Sequence, residues 1–272
     1  MLNALIVVFR ESLEAMLVIG VLLAWIARQP DPATLRRGLW VGVAAGFGLA
    51  IILGFATFAA QSQLEGNALE AFRVGMVLFA AGLIMQMVLW MRRHGRHMKR
   101  ELEAHASRVS GTFGTLGIAT VAALAVAREG AETVVFLHGM GLERNGGDLL
   151  ALLGAAAAGL ALAAATGWLV TRGARFLSYR VLFGASEILL LLIAGALLAA
   201  GIDRMIGLDW LPPLLDPVWD TSGLLDDGSG AGRLLADFVG YRARPSASLL
   251  IAYATFWAYT LWCLSRSTAA AR

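Results

Sequence analysis

The chain has 272 residues, of which 58% are hydrophobic and 15% charged, with 22 basic and 19 acidic side chains and a net charge of +3. A soluble domain is about half apolar, so this chain carries more apolar surface than its charges can cover, and the surplus predicts contact with lipid. The same balance excludes a disordered chain, a disulfide-stapled secreted module and, despite the basic excess, a nucleic-acid binder.

A membrane-crossing helix needs about 20 mostly apolar residues. Seven stretches meet that length or approach it: Leu2–Ala27, Gly38–Ala60, Ala71–Met91, Thr115–His138, Leu149–Val170, Val181–Ala200 and Ser248–Leu264. The first has no basic leader, and an Arg-Glu pair interrupts it, so it is expected to be a span and not a cleaved signal peptide. The last is the shortest, and its Trp257, Tyr259 and Trp262 suit an interfacial belt. The single cysteine, Cys263, lies within it and reads as packing.

The connections alternate in charge. The first carries Arg28, Arg36 and Arg37, the third Arg92, Arg93, Arg96, Lys99, Arg100 and Arg108, the fifth Arg172, Arg175 and Arg180, and the tail Arg266 and Arg272. The second carries Glu65 and Glu70 and no cation, and the sixth is rich in Asp. Cytoplasmic loops concentrate Lys and Arg, which predicts an outside N-terminus and a cytoplasmic C-terminus. The expected architecture is an all-α integral membrane protein, a single membrane domain of seven transmembrane helices. Residues 202–247 are expected to form an outer loop with a short interfacial segment at Leu208–Leu215.

Six charges break the apolar pattern. Arg10, Glu11 and Glu14 lie inside the first span, and Arg128, Glu129 and Glu132 inside the fourth. At 1.5 Å per residue, position 10 falls about halfway across a core of about 30 Å. Each ionisable residue at that depth costs roughly 2–3 kcal/mol of insertion, which packing alone does not require. The pattern R-E-x-x-E thus occurs twice, its starts at residues 10 and 128 standing 118 apart. Residues i and i+3 share one helix face, so each copy presents two carboxylates in one direction. Four such oxygen donors suit a hard or borderline cation. The two arginines leave a charge that one divalent ion balances, and they would hold the carboxylates in register without it.

The first span starts outside and the fourth starts in the cytoplasm, so the two copies run in opposite directions. This predicts a 3+3 inverted repeat, residues 1–110 and 111–207, with a seventh helix at 248–264. Such repeats place a substrate site near the midplane at their interface. A two-sided pathway uses that symmetry and an enzyme site does not.

In these residues the chain resembles the oxidase-dependent iron permeases, the iron/lead transporter family that includes EfeU-type bacterial iron permeases. Its hallmark, R-E-x-x-E in the first and fourth of seven spans, is matched by Arg10–Glu14 and Arg128–Glu132. Looser matches are "LEGN" at Leu64–Asn67, "LWM" at Leu89–Met91 and "GYRARPS" at Gly240–Ser246. The resemblance implies iron import across the cytoplasmic membrane, with Glu11, Glu14, Glu129 and Glu132 as ligands. Iron would be cargo, with no resident cofactor. It also implies periplasmic partners, an oxidase or peroxidase and an iron-binding protein. The alternatives are another divalent metal on the same architecture, lead or manganese, and an intramembrane protease, for which no H-E-x-x-H is present.

Secondary candidates surround the motif. Glu65 and Glu70 stand at the outer mouth and could concentrate cations. Glu187 lies inside the sixth span as a proton carrier or exit ligand. His138 closes the fourth span as a possible ligand or relay. Asp226 and Asp227 could capture cations outside, although Asp-Gly usually marks a turn. Gly20, Gly42, Gly46 and Gly48, with "GAAAAG" at Gly154–Gly159, suit close helix packing.

Overall fold

A computed structural model describes residues 2–94, 98–141, 149–171 and 179–269. Among them every regular element is a helix: α1 (Leu2–Ile26), α2 (Pro32–Ser62), α3 (Gly66–His94), α4 (Met98–Gly141), α5 (Leu149–Thr171), α6 (Tyr179–Gly207), α7 (Gly230–Val239) and α8 (Ala247–Ala269). Each of the seven expected stretches lies within one of these helices, apart from Ala27, which follows the end of α1. Arg96, Arg172, Arg175 and Arg272 of the basic connections and tail lie outside the described residues.

Five of the described helices, α2, α3, α5, α6 and α8, are long and apolar enough to cross a membrane. The protein is a multi-pass membrane protein. α1 and the second half of α4 have the length but carry three charges each at their centres. Exposed Trp40, Phe47, Ile52, Phe55 and Phe58 line α2. In water such a surface would be a liability, whereas against acyl chains it has the polarity of its solvent.

The chain divides into two compact units. One comprises Met1–Leu64, His94–Leu137 and Leu149–Tyr179; the other comprises Glu65–Arg93, His138–Asp148 and Arg180–Arg272.

In the first unit, α1 lies along α5 and α2 lies along α4. A Cβ placed on Gly159 of α5 would meet Leu5, Val8 and Phe9, and one on Gly167 would meet Met16, so α1 and α5 run in the same direction. Along α2, Gly38, Gly46 and Gly54 meet Thr115, Ala123 and Val134 in turn, so α2 and α4 also run in the same direction. Small residues at these crossings let backbones approach closely. α2 starts sharply because Pro32 fits a first helical turn and Asp31 caps it, accepting from Thr34 N at 3.2 Å.

The basic third connection is largely helical, not a loop. α4 begins at Met98, and its first half packs Ala106 into a cluster with Leu22, Trp25 and Ile26 of α1 and Leu35 and Leu39 of α2. Trp25 Nε1 donates to Ser107 Oγ at 3.1 Å, and Arg28 pairs with Glu103 at 2.6 Å. The charges of this segment mask an amphipathic helix whose apolar positions find that cluster. α4 then kinks at Gly114, where φ is 54° and ψ is −128°, a conformation that favours glycine.

In the second unit, α3 and α6 run antiparallel. Arg204, near the end of α6, reaches Glu70 near the start of α3 at 2.8 Å, and Arg92, near the end of α3, pairs with Glu187 near the start of α6. The outer segment departs from expectation. Leu208–Leu215 forms turns and bends and no interfacial helix. Pro212 and Pro213 remove two backbone donors there, and Asp209 and Leu214 take positive φ values of 57° and 64°. The short helix is α7 instead. Ser229 caps its start, accepting from Gly232 N, and Gly240 ends it at φ 72°. Val218 N and Thr221 N donate to Pro245 and Ala243 at 2.9 Å, which ties the segment to the start of α8. Hydrogen bonds from Ser222 and then Arg244 hold the Asp220 carboxyl down to about 2, so it stays charged.

Candidate functional site

The site lies within the first unit. On α1, Glu11 and Glu14 are one turn apart; on α4, Glu129 and Glu132 repeat the spacing. Leu or Ile at these positions would complete an apolar helix, so the sequence spends insertion energy to bring carboxylates here. Glu11, Glu14 and Glu129 each offer an oxygen, and these oxygens all lie within 4.8 Å of one another. Glu132 stands one turn beyond Glu129 on the same face of α4. The residue exposures are 1% for Glu11, 8% for Glu14 and 7% for Glu129, and the Glu132 side chain is 15% exposed.

Three of the four carboxylates keep a buried oxygen without a partner, Glu11 Oε2, Glu129 Oε2 and Glu132 Oε2, while Glu14 Oε1 is held by Arg10. Leaving one buried acceptor unsatisfied costs roughly 1–3 kcal/mol, more when it is charged. Three in one cluster mark a place that a cation would complete. The donors are all oxygen, which fits a hard or borderline ion of high coordination number.

The arginines of the two copies differ. Arg10 is 2% exposed; its Nη1 donates to Glu11 Oε1 at 2.9 Å and its Nη2 reaches Glu14 Oε1 as an ion pair. The Arg128 side chain is 48% exposed, with Nε donating to Glu132 Oε1 at 3.0 Å.

Two glycines, whose specific role the sequence did not single out, position the motif helices. A Cβ on Gly159 would stand 2.6 Å from Leu5 O, 3.2 Å from Val8 Cβ and 3.0 Å from Phe9 N, immediately before Arg10. One on Gly46 would stand 2.6 Å from Ala123 O, 2.8 Å from Val126 Cβ and 3.0 Å from Ala127 N, immediately before Arg128. Residues 5, 8 and 9 become 123, 126 and 127 on adding the 118 that separates the motifs. The signal that could have found these glycines is this common offset.

The secondary candidates sit elsewhere or are already engaged. Glu65 is exposed in the turn before α3. Glu70 accepts from Arg73 at 3.0 Å and Arg204 at 2.8 Å, and Glu187 pairs with Arg92. These arginine partners are not evident from sequence. His138 is half-buried near the end of α4. Asp226 closes a turn, its Oδ1 accepting from Gly228 N at 3.0 Å and its carbonyl from Ser229, and Asp227 is half-buried beside it.

A profile described as the iron permease FTR1 family matches residues 1–265. An uncharacterized protein of Archaeoglobus fulgidus is 29% identical over 98% of this chain and 95% of its own length. The ferrous iron permease EfeU of Escherichia coli O6:H1 is 27% identical over 89% of this chain and 87% of its own, and that of Yersinia pestis is 26% identical over 91% and 87%. No solved structure matches. With a family match running almost from end to end, the chain belongs to the iron permease FTR1 family and is a transporter, not an enzyme.

Proposed function

We propose that the chain imports iron across the cytoplasmic membrane, with Glu11, Glu14, Glu129 and Glu132 carrying the ion near the bilayer midplane. The observation that carries this reading is the meeting of carboxylates from two separate R-E-x-x-E copies, with unpartnered buried oxygens on Glu11, Glu129 and Glu132. Relatives named ferrous iron permeases favour the ferrous ion as cargo.

The reading includes seven crossings, with the N-terminus outside and the C-terminus cytoplasmic. Serial crossing requires α1 and α5 to share a direction, α2 and α4 to share the other, and α3 and α6 to oppose; the contacts agree. It also includes the 3+3 inverted repeat. Gly159 against residues 5, 8 and 9 and Gly46 against residues 123, 126 and 127 are the same contact in two copies. The periplasmic oxidase or peroxidase and iron-binding partners belong to this proposal as well. Lead and manganese, which oxygen donors also accept, are the competing cargoes.

The test is radio-iron uptake into proteoliposomes. Glu14→Ala and Glu132→Ala are expected to lower uptake to background, while both proteins insert in normal amount. Undiminished uptake by both variants would sink the assignment of the site. Excess manganese or lead should compete only if selectivity is loose.

A further inference from the structure

The two R-E-x-x-E copies are alike in sequence and unlike in structure. In the first copy the guanidinium is buried and forks onto Glu11 Oε1 and Glu14 Oε1. In the second the Arg128 side chain is half-exposed and reaches Glu132. A guanidinium is a planar cation matched to carboxylate oxygens. Arg10 therefore presents to Glu11 and Glu14 the charge that an incoming metal ion would present. Both cannot occupy the same carboxylate oxygens, and like charges at such separation repel strongly where little water screens them.

Building on the proposed iron site, we infer that Arg10 is a tethered counter-cation that competes with the transported ion for Glu11 and Glu14. The ion binds first at the Glu129–Glu132 copy, whose arginine is half-exposed, and engages Glu11 and Glu14 as Arg10 withdraws. Arg10 then returns as the ion leaves, restoring the charge balance that makes release possible. The competition limits affinity and thereby allows turnover. Arg10 is a positioning residue in this scheme, since it touches the ligands and not the metal.

The sign of one substitution separates this role from a structural one. Removing a merely structural arginine would loosen the carboxylates and weaken binding. Removing a competitor tightens it. The experiment uses the full chain in lipid nanodiscs, titrated with ferrous iron without oxygen and with manganese as an air-stable probe. Arg10→Gln is expected to bind at least about tenfold more tightly than wild type, the scale of a lost like-charge contact at low screening. Its uptake should show a lower KM together with a lower maximal rate. Arg10→Lys keeps the charge as a compact ammonium without the planar fork, so it should tighten binding by a smaller factor. Guanidinium ion should compete with the metal in Arg10→Ala and leave wild type unaffected.

Weaker or unchanged binding by Arg10→Gln, or guanidinium competing equally with wild type, overturns the inference. So does an Arg128→Gln variant that tightens binding as much as Arg10→Gln. If Arg10→Gln fails to reconstitute, Arg10→Lys and the guanidinium comparison decide the outcome by the same signs. Wild type that binds neither metal refutes the site reading and this inference together. Binding by wild type with the wrong sign in the variants refutes this inference alone.

Discussion

Glu11 offers the sharpest test of whether the motif serves the fold or the ion. It is 1% exposed, and Arg10 offsets part of its charge while its Oε2 has no hydrogen-bond partner. A buried charge that is only partly paired is a net cost to folding. Glu11→Gln removes that charge at nearly constant volume and leaves Arg10 its contact with Glu14. The variant is expected to unfold at the same temperature as wild type or higher, gaining up to about 2 kcal/mol, while uptake is lost. Thermal unfolding in detergent alongside transport checks both halves; a clear loss of stability would show that the carboxylate serves the fold. The six motif residues were legible in sequence because a charge inside an apolar helix has no cheap structural explanation. The difference between Arg10 and Arg128 was not, since identical motif letters carry no record of which guanidinium the surrounding helices enclose.

The helices themselves show where local pattern speaks and where it is silent. The seven apolar stretches were visible from length alone. The first half of α4 was hidden, because its charges resemble a topology-setting loop until Ala106 is seen packed under Trp25 and Leu22. Leu208–Leu215 misled in the opposite way: its apolar residues suggest a helix that Pro212 and Pro213 prevent. Gly46 and Gly159 looked like two among many packing glycines, and only contact across helices distinguishes them. A methyl at either would meet a backbone carbonyl at 2.6 Å, and backbone can yield only by moving the motif helix. Gly46→Ala and Gly159→Ala are each expected to destabilise by about 1–3 kcal/mol and to lower uptake to a similar extent. Gly20→Ala and Gly48→Ala, with nothing within 4 Å of the added methyl, should leave both properties unchanged. Uptake by all four alike would remove the helix-positioning role of the crossings.

For the molecule as a whole, the ion pairs of the second unit form a reciprocal set. Glu70 near the start of α3 meets Arg204 near the end of α6, while Glu187 near the start of α6 meets Arg92 near the end of α3. Exchanging α3 with α6 converts one pair into the other. Sequence could not reveal this, because the partners lie 134 and 95 residues apart and their meeting depends on helix register. It turns Glu70 and Glu187, which alone suggest cation or proton sites, into the acidic halves of two ties closing opposite ends of one antiparallel pair. If they are ties, charge reversal at one partner must be harmful and reversal at both must be forgiven. Arg92→Glu or Glu187→Arg alone places like charges together, whereas the double variant restores the attraction with its sign exchanged. A coupling of about 1 kcal/mol is expected from the double-mutant cycle, toward the low end of the usual range because Arg92 is about a third exposed to screening. Glu70→Arg with Arg204→Glu should recover less fully, because Arg73 also serves Glu70 and would face the new arginine. Uptake should follow stability through both cycles. Uptake abolished in a stable Glu187→Gln variant would instead show that this carboxylate handles the ion or a proton.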